Sequence, residues 1–71
     1  MTSQTYETID AQAKASAAEL RGQGWDGSST YDLGMYVGDL QALEERLGRK
    51  ATRDERVELE RMIRDCLTCG R

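Results

Sequence analysis

The sequence of 71 residues contains no histidine, no proline and no phenylalanine. Without histidine, every reaction mechanism that depends on an imidazole is excluded. The sequence also lacks any apolar run that approaches the ~20 residues a membrane-spanning helix needs. Its first residues show no basic region followed by an apolar stretch, the pattern of a secretory signal peptide. We therefore expect a cytoplasmic protein without membrane contact.

The composition, with 38% hydrophobic and 32% charged residues, is typical of a soluble globular protein. A chain of this length forms one domain, residues 1–71. Its small core supplies a net stability on the order of 3–5 kcal/mol unless another device supports it. No segment alternates β-branched and polar residues over four or more positions, so we predict no sheet.

Three segments carry apolar residues at helical spacing, and they predict an all-α fold, a small three-helix bundle. The predicted helices cover residues 6–21, 31–47 and 53–67, and a Gly/Ser-rich connector over 22–30 separates the first two. The expected apolar stripe of the first helix consists of Tyr6, Ile9, Ala13, Ala17 and Leu20. That of the second consists of Leu33, Tyr36, Val37, Leu40, Leu43 and Leu47. That of the third consists of Val57, Leu59, Met62, Ile63, Cys66 and Leu67.

Local signals mark the helix ends. Ser29 followed by Asp32 resembles a capping box and predicts the start of the second helix, and Gly48 predicts its end. Thr52 followed by Glu55 is a full capping box at the start of the third helix. The connector 49–51 is short, so helices two and three are expected to be antiparallel neighbours.

Gly34, Gly38 and Ala42 recur every four residues within the predicted second helix. Glycine inside a helix costs ~1 kcal/mol relative to alanine, so a compensating contact is expected. A groove of small residues lets another helix approach closely. The favoured partner is the alanine-rich first helix, and the alternatives are an external helix or a homodimer.

Cys66 and Cys69 form a CxxC motif at the end of the third helix. The pattern permits a zinc site only if a symmetric dimer shares four thiolates, because a structural zinc needs four ligands. A redox role lacks the strand–helix context of thioredoxin-like proteins. We favour the simplest interpretation, in which Cys66 is a small core residue and no metal is bound.

The sequence carries no phosphate-binding loop, no nucleophile–base pair and no metal-ligand cluster. A bundle of this size is expected to have little room for a pocket of ~300 Å³, where small-molecule sites begin. We therefore predict a non-enzymatic protein without a cofactor.

Charge is distributed unevenly along the chain. Residues 1–45 contain eight acidic and two basic side chains, a net charge of −6, whereas residues 46–71 contain five acidic and eight basic side chains, a net charge of +3. The basic side chains concentrate around the turn between helices two and three: Arg46, Arg49, Lys50, Arg53 and Arg56. This cluster is a candidate phosphate-binding patch and supports nucleic-acid binding as an alternative function.

The acidic half predicts a different contact surface. Asp32, Tyr36 and Asp39 share one face of the predicted second helix, and Asp26 and Tyr31 precede it. Carboxylates mixed with tyrosines suit recognition of a basic protein surface. Trp25, in the connector, either plugs one end of the bundle or joins this surface as an exposed anchor.

The preferred hypothesis is a binding protein that covers a basic surface of a protein partner. In size, acidity and lack of catalytic residues the chain resembles the small proteins of phages and mobile elements, among them anti-CRISPR inhibitors. That resemblance implies inhibition of a host nucleic-acid-handling complex. The alternatives are a nucleic-acid-binding accessory protein and a homo-oligomeric adaptor, and the chain is expected to be a monomer or a homodimer.

Overall fold

A computed structural model describes residues 3–25, 31–34 and 36–68 of the chain. These residues form three helices and no strand, which confirms the predicted all-α bundle. The helices are α1 (Ser3–Gly22), α2 (Val37–Leu47) and α3 (Arg53–Thr68). None of the helices in the described part of the chain is long and apolar enough to cross a membrane.

Helix α1 organises the bundle, because it packs against both other helices and has its larger contact with α3. The buried apolar side chains of the described residues come mainly from α1, from α3 and from the segment between α1 and α2, which from here on we call the connector. They are Ile9, Ala13, Ala17, Leu20, Tyr31, Leu33, Leu43, Leu59, Met62, Ile63 and Leu67. Helix α2 contributes Leu43 alone to this set, so it is the least firmly buried of the three helices.

The predicted signals at the turn between α2 and α3 are confirmed. Gly48 adopts a left-handed conformation with φ 74°, and its N–H donates to the Glu44 carbonyl at 2.9 Å, as expected of a residue that ends a helix. At the start of α3, the Glu55 N–H donates to Thr52 Oγ1 at 3.2 Å, and the Thr52 N–H donates to Glu55 Oε1 at 2.7 Å. Both bonds of a capping box are therefore present.

The predicted start of the second helix is wrong. Helix α2 begins at Val37, six residues later than expected, and Ser29 lies outside the described residues. Residues 31–34 are not helical, and their side chains alternate between buried and exposed positions. Tyr31 and Leu33 extend from this segment into the core. Their spacing of two residues is therefore that of an extended segment packed on the helices, and not that of a helix.

The expected stripe of small residues is also wrong. Gly34 lies before α2, and a side chain at Gly38 would meet no other atom within 4 Å. Gly38 therefore marks no close approach of α1 within the described residues, which contradicts the favoured packing, and the alternatives of an external helix or a homodimer stay predictions.

Candidate functional site

The surface predicted to bind a basic partner is not assembled as expected. Tyr31, assigned to it, is only 1% exposed and belongs to the core. Its phenol donates a hydrogen bond to Asp39 Oδ2 at 2.6 Å. Burial, with this hydrogen bond, raises the pKa of Tyr31 well above its ordinary value. Tyr31 is thus unavailable to a partner, and Asp39 already has a partner within the molecule.

Asp32 also occupies a different place from the predicted one. It lies before α2, so it does not share a helix face with Tyr36 and Asp39. Its Oδ1 accepts a hydrogen bond from the Gly34 N–H at 2.9 Å, which forms a local turn. Asp26, the remaining carboxylate of the predicted surface, lies outside the described residues.

The aromatic residues of the predicted surface pack on one another. Tyr36 stacks on Tyr31 with ring centroids 5.2 Å apart, and Trp25 meets the edge of Tyr36 at 6.4 Å. Trp25 and Tyr36 are half-buried and pack against the core. This arrangement favours the interpretation of Trp25 as a plug over that of an exposed anchor.

Two residues of α3, neither of them predicted as a site residue, form hydrogen bonds with the backbone of the connector. Arg64 Nε donates to the Tyr31 carbonyl at 2.8 Å, and the Leu33 N–H donates to Glu60 Oε2 at 3.2 Å. Glu60 and Arg64 also form an ion pair at 3.0 Å. The i,i+4 spacing of Glu60 and Arg64 is typical of an ion pair on one helix face, but their contact with the backbone of residues 31 and 33 depends on the tertiary structure.

In the predicted basic cluster, Arg46 and Arg49 have internal partners. Arg46 Nε donates to Gln12 Oε1 on α1 at 2.7 Å. Arg49 forms two parallel hydrogen bonds with the buried carboxylate of Glu55, at 2.8 and 2.7 Å. The Arg49 guanidinium and the Thr52 N–H lower the pKa of Glu55 to about 2. Arg49 thus stabilises the turn and Arg46 links α2 to α1, so both are less available to a ligand.

The other three members of the basic cluster are not engaged in ion pairs in this way. The side chains of Lys50, Arg53 and Arg56 are exposed and form no ion pair with any described residue. Arg53 and Arg56 lie one turn apart on α3, on the side that faces α2.

An open groove of about 600 Å³ lies between α2, α3 and the end of the connector, and we call it the α2–α3 groove. The sequence predicted little room for a pocket of ~300 Å³. The groove is larger because α2 packs against α1 and leaves open space beside α3. Its lining residues are Asp32, Leu33, Gly34, Val37, Leu40, Arg53, Arg56, Val57 and Glu60.

The groove combines apolar and cationic groups. Val37 and Val57, predicted to lie on apolar stripes facing the core, are instead 51% and 59% exposed, and Leu40 beside them is half-buried. Arg53 and Arg56 add two guanidinium groups to the same groove. Such a surface can hold aliphatic side chains and anionic groups together.

The predicted thiol pair is only partly described. Cys66 is half-buried with a free thiol, its carbonyl accepts a hydrogen bond from Arg21, and Cys69 lies outside the described residues. In the described ranges, no group of three or more Cys, Asp and Glu side chains is arranged to hold a metal ion.

Comparison of the chain with protein-family models, with curated proteins and with solved structures finds no match.

Proposed function

We propose that this protein is a non-enzymatic binding protein that receives an apolar segment of a protein partner in the α2–α3 groove. The observation that carries this proposal is the exposure of Val37 and Val57 in one groove, next to Leu40. Single exposed apolar residues are normal on a protein surface, but adjacent ones in a concave site are typical of a binding surface.

This proposal changes the location of the contact surface predicted from the sequence. With Tyr31 in the core and Asp39 bonded to it, the tyrosine–carboxylate surface serves the fold, so we do not propose it as the contact surface. Inhibition of a host complex in the manner of small phage proteins stays a prediction that rested on size and charge. The cytoplasm stays the expected compartment.

Site-specific photo-cross-linking tests the proposal. A photoreactive amino acid in place of Val57 should cross-link one defined protein in the cells that make this chain, and mass spectrometry identifies it. The same amino acid in place of Lys14, an exposed residue of α1 that does not line the groove, is the matched control and should not cross-link that protein.

Binding of the purified partner then completes the test. Because Val57 is mostly exposed, Val57→Asp should leave the fold intact while placing a polar charged group on the apolar part of the groove. We expect this variant to weaken binding by about tenfold or more. The proposal is refuted if position 57 cross-links no more than position 14, or if Val57→Asp binds the purified partner as tightly as the original chain does.

A further inference from the structure

The geometry of the groove points to a specific class of partner. We propose that the bound segment is an acidic amphipathic helix, with its aliphatic side chains on Val37, Leu40 and Val57 and its carboxylates on Arg53 and Arg56. This inference rests on the proposed function, because it names the occupant of the same groove.

Helical periodicity of the groove walls supports a helical occupant. On α3, the lining residues Arg53, Arg56, Val57 and Glu60 follow the i, i+3, i+4, i+7 spacing of a single helix face. The opposite wall carries Val37 and Leu40 one turn apart on α2.

Helix α3 therefore has two faces with helical periodicity. One is buried in the core through Leu59, Met62, Ile63 and Leu67, and the other lines the groove. Side chains at this spacing match the ridges of a neighbouring helix, and helix-in-groove recognition uses anchors at the same intervals. An added helix would complete a four-helix arrangement.

Among the described residues, the groove holds two positive groups without an ion-pair partner, on Arg53 and Arg56, and one such negative group, the exposed carboxylate of Asp32, whose Oδ1 accepts the Gly34 N–H. Glu60 is already engaged, because Oε1 pairs with Arg64 at 3.0 Å and Oε2 accepts the Leu33 N–H at 3.2 Å.

Arg53 and Arg56, by contrast, have no ion-pair partner among the residues the structure describes, and they lie close to each other with like charge. A carboxylate of the partner offers the bidentate geometry that guanidinium groups favour, and it would relieve this repulsion.

A nucleic acid would use the same arginines but not the rest of the groove. Phosphates gain nothing from Val37, Leu40 or Val57, and Arg46 and Arg49, which would extend a phosphate-binding track, are bonded to Gln12 and Glu55. The observations thus favour a protein segment, and nucleic-acid binding becomes one outcome of the test.

The test uses three synthetic helical peptides and the full chain. The peptides share leucines at i, i+3, i+4 and i+7, and their remaining positions hold alanine with glutamate, lysine or glutamine. In heteronuclear NMR titrations, the glutamate peptide should shift the methyl signals of Val37, Leu40 and Val57. The lysine peptide should bind about tenfold more weakly than the glutamate peptide.

Charge reversal sharpens the test. The double variant R53E/R56E should invert the preference, so that the lysine peptide binds more tightly than the glutamate peptide. The matched pair for net charge is R56E against K50E, since both residues are exposed and have no ion pair with a described residue. K50E, outside the groove, should keep the original preference, and R56E should weaken it.

Several outcomes would overturn the inference, and they differ in what they leave standing. Equal binding of the three peptides in the groove refutes an acidic partner and leaves the proposed function intact. So does R53E/R56E-sensitive binding of a DNA duplex of about 20 base pairs that displaces the glutamate peptide. If the glutamate peptide causes no groove shifts at about 1 mM, the inference fails. The proposed function then depends on the cross-linking experiment alone.

Discussion

The acidic region around residues 31–39 and the basic region around residues 49–56 use their charged side chains differently. In the acidic region, Asp39 holds a buried phenol and Asp32 closes a local turn. In the basic region, Arg49 is paired with Glu55, whereas Arg53 and Arg56 line an open groove without an ion-pair partner in the described part of the chain.

This difference shows that the density of charge along a sequence does not identify a binding surface. Carboxylates and tyrosines close together in sequence are expected at interfaces, but they are equally suited to bonding one another inside a fold. A charged side chain is available to a partner only when the fold leaves it without an internal one. We therefore place the proposed contact surface in the α2–α3 groove and not in the acidic region.

The largest expected effect is in the acidic region. Tyr31→Ala removes a fully buried aromatic ring that stacks on Tyr36, and it should cost about 3–5 kcal/mol of unfolding free energy. That is comparable with the whole stability of so small a domain, so the variant should be largely unfolded by circular dichroism at 25 °C. Tyr6→Ala, at a tyrosine that is 46% exposed, should stay within about 0.5 kcal/mol of the original chain in urea unfolding.

The hydrogen bond between Tyr31 and Asp39 accounts for part of that effect. Tyr31→Phe keeps the ring and removes the donor, and it should cost about 2 kcal/mol in urea unfolding, because a bond to a charged acceptor is lost. In a double-mutant cycle, Asp39→Ala should add little to Tyr31→Phe. Tyr36→Phe is the matched control, with an expected change within about 0.5 kcal/mol. Additive costs of the two changes would contradict a structural role for this carboxylate.

The ion pair of the basic region should make stability depend on pH. The pKa of Glu55 is about 2 in the folded chain and 4.5 in its ordinary state, so the pair stabilises the fold fully above pH 4.5 and is lost as the pH falls toward 2. We expect Glu55→Gln to cost about 1–2 kcal/mol at pH 7, since Arg49 is half exposed, and much less near pH 2, where half of the Glu55 carboxyl is protonated. Urea unfolding from pH 2 to 7 measures this difference. Glu45→Gln, at an exposed residue of α2, should keep the original profile.

The smallest expected effect distinguishes the groove arginines from Arg49. Arg53→Ala and Arg56→Ala should each change the unfolding free energy by less than about 0.5 kcal/mol, because no internal ion pair is lost. Arg49→Ala should lower the unfolding free energy measurably more than either of them, because it leaves the buried Glu55 carboxylate without its cation. Equal costs for all three arginines would mean that the groove arginines also support the fold.

The sequence predicted those features that depend on short-range interactions. The capping box of Thr52 and Glu55 and the helix-ending role of Gly48 both join residues no more than four positions apart. Local steric and hydrogen-bonding preferences decide such features, so a single sequence is enough to recognise them.

The start of α2 was missed because distant residues decide it. Leu33 has helical spacing with Val37 and Leu40, yet Glu60 and Arg64 supply hydrogen-bond partners for the backbone of residues 31 and 33. A segment whose backbone groups find such partners has no need of a helix. Val57 was misplaced for a related reason, because its face of α3 borders the open α2–α3 groove and is not covered by another helix.

By itself, the sequence determined that the chain forms three amphipathic helices and where the turn between the second and third lies, because hydrophobic periodicity and capping act within a few residues. Only the tertiary structure decided which charged and aromatic side chains are used internally and which line a groove. That choice depends on contacts between α3 and a connector some thirty positions away in sequence. It follows from packing geometry, which no local pattern records.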